Sequence, residues 1–166
     1  MKPIHSVIII LLAANLAATI WFGTQSQNTI SAKGKADTTV HNLPDAISSD
    51  VRKQLLEKFT VSFNNKDFDA LYNMFGPAAK AQVTRESMDE QFNKLIKFFG
   101  TIEDGAFTHS ELAKTQGSSK VYVLYYTVKL SKESQFGSTG NLRVTLAVQN
   151  NDFEVYGIYL NSDSHS

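Results

Sequence analysis

Two kinds of residue in this chain have the right types for acid–base chemistry: carboxylates in pairs and tyrosines in number. Proton transfer of the isomerase kind uses an aspartate base facing an oxyanion hole of tyrosine and a protonated acid inside an apolar pocket. Asp104, Tyr72, Tyr122, Tyr126 and Tyr156 are of those types, and no local motif holds them together. The pairs Asp67 with Asp69 and Asp89 with Glu90 stand where helices should begin, and the helix dipole favours carboxylates there without any catalytic role. Glu103-Asp104 falls between a helical pattern and a strand pattern, the place of a solvated turn. The catalytic, cofactor-binding and metal-ligand sets are therefore read as none.

The remaining chemistries lack their parts. His5, His41, His109 and His165 include no pair with metal-ligand spacing. His109 and Glu111 should share a strand face and can stand near Arg143, a polar cluster that an exposed sheet surface explains equally well. Gly137-Ser-Thr-Gly140 differs from a nucleophile elbow because it links two strands rather than a strand and a helix. There is no Walker or dinucleotide loop. Cysteine is absent, which removes disulfides, thiol catalysis, cysteine metal sites and lipobox acylation together. The chain has 16 basic and 16 acidic residues; taking away Lys2, Lys33, Lys35 and Asp37 leaves 13 and 15 from Asp45 onward. A net charge of −2 offers no footprint for nucleic acid.

The elements that would position these residues start with Lys120 to Leu130, a run of β-branched and aromatic residues without glycine, proline or acid. It predicts a central strand that needs cover on both faces. Ahead of it, Ile47, Val51, Leu55, Phe59 and Phe63 recur every fourth residue, a helix capped by Asp45 or Ser48 and ended by Asn64-Asn65. Asp67 caps a second helix with Phe68, Leu71, Tyr72 and Phe75 on one face, stopped by Gly76-Pro77. Pro77 to Val83 can add a turn. Ser87 to Glu90 reads as a capping box for a third helix with Met88, Phe92, Leu95, Ile96 and Phe99 inward, closed by Gly100. The period then changes to 2 over Ala106–Lys114, Lys120–Lys132, Asn141–Gln149 and Phe153–Leu160, with Gly157 marking a bulge or bend. The prediction is an α+β domain, three helices on a curved four-stranded antiparallel sheet.

Residues 1–23 carry Lys2 and then a run from Ile4 to Gly23 without a charged residue, about 20 residues, the length of one membrane span. An uncleaved anchor and a cleaved signal peptide both fit, with Trp21 and Phe22 where an interfacial aromatic belt sits. Both put the rest of the chain across the membrane: anchored in the inner membrane with its domain in the periplasm, or secreted there. Residues 24–44 are polar and too poor in apolar side chains to repay ordering, a flexible tether. Residues 45–166 make the domain.

Phe63-Asn-Asn-Lys-Asp-Phe-Asp-Ala-Leu-Tyr-Asn-Met-Phe75, the close at Phe99-Gly100 and the ending Val155-Tyr-Gly-Ile-Tyr-Leu160 resemble small exported bacterial domains of the nuclear transport factor 2-like (cystatin-like) superfamily, among them families of unknown function. The resemblance implies a cone formed by a bent sheet around helices, often dimeric through the open sheet face, with a pocket that some relatives use for ligands and a few, such as ketosteroid isomerase, for catalysis. Tyr72, Phe92, Tyr122, Tyr126 and Tyr156 are the candidate pocket residues. Val121, Val123, Tyr125 and Tyr159, with Val155, are expected on the sheet face turned away from the helices, and that face would serve a protein partner or a second copy. The expected function is a non-catalytic, envelope-facing binding or protein-interaction module that is homodimeric or holds a small apolar ligand or a partner protein. The alternatives are an isomerase- or dehydratase-like enzyme and a structural subunit of an envelope complex.

Overall fold

The structure, a computed structural model, describes residues 43–162. The apolar segment at 1–23 and all but the last two residues of the tether at 24–44 lie outside them. Among the described residues no helix is long and apolar enough to cross a membrane.

A 3-10 turn at Asp45–Ile47 leads into α1 (Ser49–Asn64), whose N-cap Ser48 accepts from the Val51 amide at 3.3 Å. The four-residue spacing delivers Leu55, Phe59 and Phe63 to the core. Helix α2 (Phe68–Met74) starts at Asp67, whose carboxylate accepts from the Ala70 amide at 2.9 Å. A single turn, α3 (Pro77–Lys80), follows Gly76, with Pro77 as its first residue. Helix α4 (Arg85–Phe99) begins three residues before the expected box: Thr84 is its cap, accepting from the Ser87 amide at 3.2 Å. Starting there places Arg85 in the first turn, where it reaches Asp69 at 2.6 Å and Asp89 at 2.7 Å and ties α2 to α4. Gly100, at φ 67°, closes the helix.

The sheet is a meander in the order β1 (Ile102–Gln116), β2 (Ser119–Leu130), β3 (Thr139–Gln149), β4 (Asp152–Ser162), antiparallel throughout. Glu103-Asp104 is not a turn. Asn64 at the end of α1 grips Ile102 from both sides, accepting from its amide and donating to its carbonyl, each at 2.8 Å, so the strand begins directly after the helix. Strand β1 is nevertheless irregular, with register shifts that leave Glu103, Thr108 and Ala113 as extra residues, and β4 has one at Tyr156.

The helices cover one face of the sheet. Tyr122, Leu124, Tyr126, Val128 and Leu130 of β2, Leu142, Val144, Leu146 and Val148 of β3, and Val155, Ile158 and Leu160 of β4 point into them and are buried. Val155 therefore faces inward, against the expectation that it lies outside. The bulge at Tyr156 is the reason: odd-numbered residues of β4 point in before it and even-numbered ones after it. At the edge of β4, Phe75 bridges Val155 in parallel and Gly76 donates to the Val155 carbonyl at 2.9 Å.

Candidate functional site

Two places compete as a site, the inside of the cone and the outside of the sheet. Inside, the rings of Phe59 and Phe63 lie 5.3 Å apart, and Phe92 is 6.5 Å from Phe59 and 6.2 Å from Phe75. Leu71, Met88 and Leu124 fill in around them without exposure. The polar side chains buried among the described residues, Tyr122 and Tyr126 aside, are Ser62 and Ser131. The Tyr126 hydroxyl donates to the Arg52 carbonyl at 3.1 Å, and burial pushes its phenol well above the ordinary value. Phe107 meets Tyr126 edge to face at 5.6 Å and carries the Arg52 guanidinium over its ring at 4.3 Å.

The five candidate pocket residues do not converge. Phe92, Tyr122 and Tyr126 belong to the core. Tyr72 is half-buried on the flank of α2, with Lys80 at 4.9 Å and Arg85 at 5.2 Å from its ring. Tyr156, the extra residue of the β4 bulge, is half-exposed and bonded through its hydroxyl to Gln82 at 2.8 Å. Asp104 is exposed on β1, its carboxylate turned back to the Gly105 amide at 2.8 Å. The pairs at the helix starts have structural partners: Asp67 caps α2, while Asp69 and Asp89 hold Arg85.

Outside, the residues do converge. Register places His109 of β1 opposite Tyr125 of β2, Tyr125 opposite Arg143 of β3, and Arg143 opposite Tyr159 of β4. His109 stacks on Tyr125 with ring centroids 4.3 Å apart and planes 6° from parallel, and the Arg143 guanidinium lies 4.1 Å from the Tyr159 ring centre. The Tyr125 hydroxyl donates to Glu111 at 2.8 Å, and His109 Nε2 is 3.7 Å from the other Glu111 oxygen. Burial and then Glu111 raise the Tyr125 phenol, with Arg143 working against them. The result is a ladder of alternating rings and one guanidinium across the whole sheet. Val123 stands in the next row and Val121 in the row beyond it, both half-exposed. The polar cluster of His109, Glu111 and Arg143 anticipated from the sequence is present here, joined to two of the candidate interface tyrosines.

The sequence pattern did not disclose that the four stand in one row. Counting back from the Gln116–Ser119 and Gln149–Asp152 pairs in unbroken register would set Ser110 opposite Tyr125 and Ile158 opposite Arg143. The extra residues Ala113 and Tyr156 each move the count by one and bring His109 and Tyr159 into line. Gly157 was the only signal of either bulge.

Helices followed by a four-stranded meander, packed on one face of a curved open sheet, complete the comparison with the sequence resemblance. The arrangement is the α+β architecture that the nuclear transport factor 2-like resemblance implies. Solved structures similar to the chain include a nuclear transport factor 2-like protein from Cytophaga hutchinsonii, at 12% identity and TM-score 0.41, covering 68% of this chain and 96% of that one. Another is Aln2 from a Streptomyces species, at 14% identity and TM-score 0.43, covering 70% of this chain and 93% of that one. No family model matches the sequence, and no curated protein matches it.

Proposed function

We propose that this is a non-catalytic protein-docking module of the bacterial cell envelope, held at or released from the inner membrane by its N-terminal segment and engaging its partner through the outer face of the sheet. The observation that carries the reading is the ladder His109, Tyr125, Arg143, Tyr159. Aromatic residues and arginine are the side chains over-represented at protein interfaces, because they bring large contact area at little conformational cost. Here they are already ordered by one another, which lowers the entropy a partner must remove on docking.

The sequence left open a small apolar ligand in the cone or a protein on the sheet. Close-packed phenylalanine rings in the cone favour the second. The isomerase- or dehydratase-like alternative calls for a carboxylate base deep in the cone; the buried ionisable side chains among the described residues are the phenols of Tyr122 and Tyr126, and Tyr126 already donates its proton to the Arg52 carbonyl. A structural subunit of an envelope assembly would use the same outer face.

The test is to place a photo-activated cross-linking residue at Val123 in the full chain within its native envelope. Cross-links to protein are expected there, and few from the same group placed at Glu90 on the far side of the helices. Equal capture at both positions, or capture at neither, would defeat the reading.

A further inference from the structure

At its β1 end the ladder presents two acceptors that face each other. Thr108, the extra residue of a β1 bulge, donates its hydroxyl hydrogen to the Tyr125 carbonyl at 2.9 Å. A hydroxyl has one hydrogen, so toward His109 Nδ1, at 3.3 Å, the Thr108 oxygen accepts. Nδ1 therefore carries the hydrogen of the neutral imidazole, and Nε2 is left with its lone pair. Nε2 lies 3.7 Å from a Glu111 oxygen, which is an acceptor too. The two do not bond to each other, but a donor set between them bonds to both.

Both acceptors are held in place by Tyr125. The His109 ring is stacked on it at 4.3 Å, and its hydroxyl donates to the second Glu111 oxygen at 2.8 Å. Burial and then Glu111 raise the Tyr125 phenol, so it keeps the proton that makes this bond. Two cations of the same face have partners of their own: Lys129 reaches Glu103 at 2.7 Å, and the Arg143 guanidinium covers the Tyr159 ring. The Glu111 side chain is 59% exposed, and Val123 opposite it on β2 is half-exposed, so the pair can be approached from outside.

We infer that His109 Nε2 and Glu111 together seat a lysine ammonium of the docking protein. The inference rests on the docking reading above and names the chemistry of the partner. A nitrogen about 2.9 Å from each acceptor sees the two about 80° apart, so each N–H of a tetrahedral ammonium bends by about 15° to reach them. Both bonds are charge-assisted, which gives an ammonium the advantage over water at this place. A guanidinium fits less well. Its rigid fork matches the two oxygens of one carboxylate, and here Tyr125 already holds one of them. The negative charge of Glu111 complements the positive charge of the incoming lysine and fixes where along the ladder it arrives.

A water-soluble carbodiimide tests the contact directly, because it condenses a carboxylate with a touching amine, taking up the water that is lost and leaving no spacer. Applied to the full chain in its native envelope, it should join Glu111 to a lysine of another protein, read by mass spectrometry as a pair of peptides linked by an amide. E111Q gives a second readout. The new side chain keeps an oxygen for the Tyr125 hydroxyl and offers an amide N–H to His109 Nε2, which fills the seat from within. Capture by the photo-activated residue at Val123 should then fall by about tenfold, the effect of losing a charge-assisted bond, while the melting temperature of the E111Q chain stays level or rises. Three results would each overturn the lysine seat: a link from Glu111 only to a lysine of this same sequence, such as Lys114; no link from Glu111; or capture that E111Q leaves unchanged. Capture of protein at Val123 in the parent chain upholds docking in all three cases, whereas no capture there defeats both readings.

Discussion

Tyr126 shows how one side chain can be read at several levels. Its ring fills the core, and its hydroxyl finds the only kind of partner that a helix backbone above it can offer, the Arg52 carbonyl. Because burial raises its phenol in the folded state, the folded protein holds the proton more tightly than the unfolded chain. That contribution is complete below the unfolded value of about pH 10 and is lost as the pH rises toward the folded value. Urea unfolding should therefore show stability falling above about pH 10. Y126F should lose about 1 kcal/mol at neutral pH, the net worth of one hydrogen bond, and decline less steeply in alkali. Phe92 tests the filled cone: F92A removes a ring packed against Phe59 and Phe75 and should cost about 3–5 kcal/mol, measured by the same unfolding. A much smaller loss would mean that the surrounding rings collapse into the space.

Among the elements, β1 has the weakest local propensity and depends most on its neighbours. Asn64 supplies both hydrogen bonds to Ile102, so N64A should leave a backbone donor and acceptor without partners and cost about 1–3 kcal/mol. Faster amide exchange confined to the start of β1 would confirm it. Glycines on β3 and β4 separate packing from docking. A Cβ at Gly140 would meet the Asn161 carbonyl oxygen at 2.8 Å, a backbone atom that cannot swing aside. G140A should lower the melting temperature by the equivalent of about 1–3 kcal/mol, whereas G157A should stay within about 0.5 kcal/mol. The helices were legible in the sequence because each carries a stripe, a cap and a stop: the Leu55–Phe59–Phe63 spacing, Asp67, and Gly100. What escaped was set by contacts distant in sequence. Glu103-Asp104 reads as a turn until Asn64 is seen beside it, Thr84 outranks Ser87 as a cap once Arg85 has carboxylates to reach, and Val155 changes face because of a bulge one residue away. The ladder was legible as a set of residues on one face, and its alignment was hidden in the two extra residues that adjust the count.

For the whole molecule, the fold and the pairing of copies that the resemblance implies would be linked thermodynamically. If two copies associate only when folded, mass action adds to stability, and the melting temperature of the full chain in micelles should rise with protein concentration. A melting temperature independent of concentration over a hundredfold range would speak against association in that range. A chain without disulfides has its packing and whatever binds it to hold it together. The ladder draws one residue from each of the four strands, and it is continuous only when the bulges at Ala113 and Tyr156 have both formed and every hairpin has closed in its final register. A chain with β4 unzipped, or with β1 one residue out of step, would offer a broken ridge. A partner that docks on this surface would therefore find its inspection mark only on a molecule whose sheet is finished, so that binding would select mature chains and leave immature ones open to proteolysis.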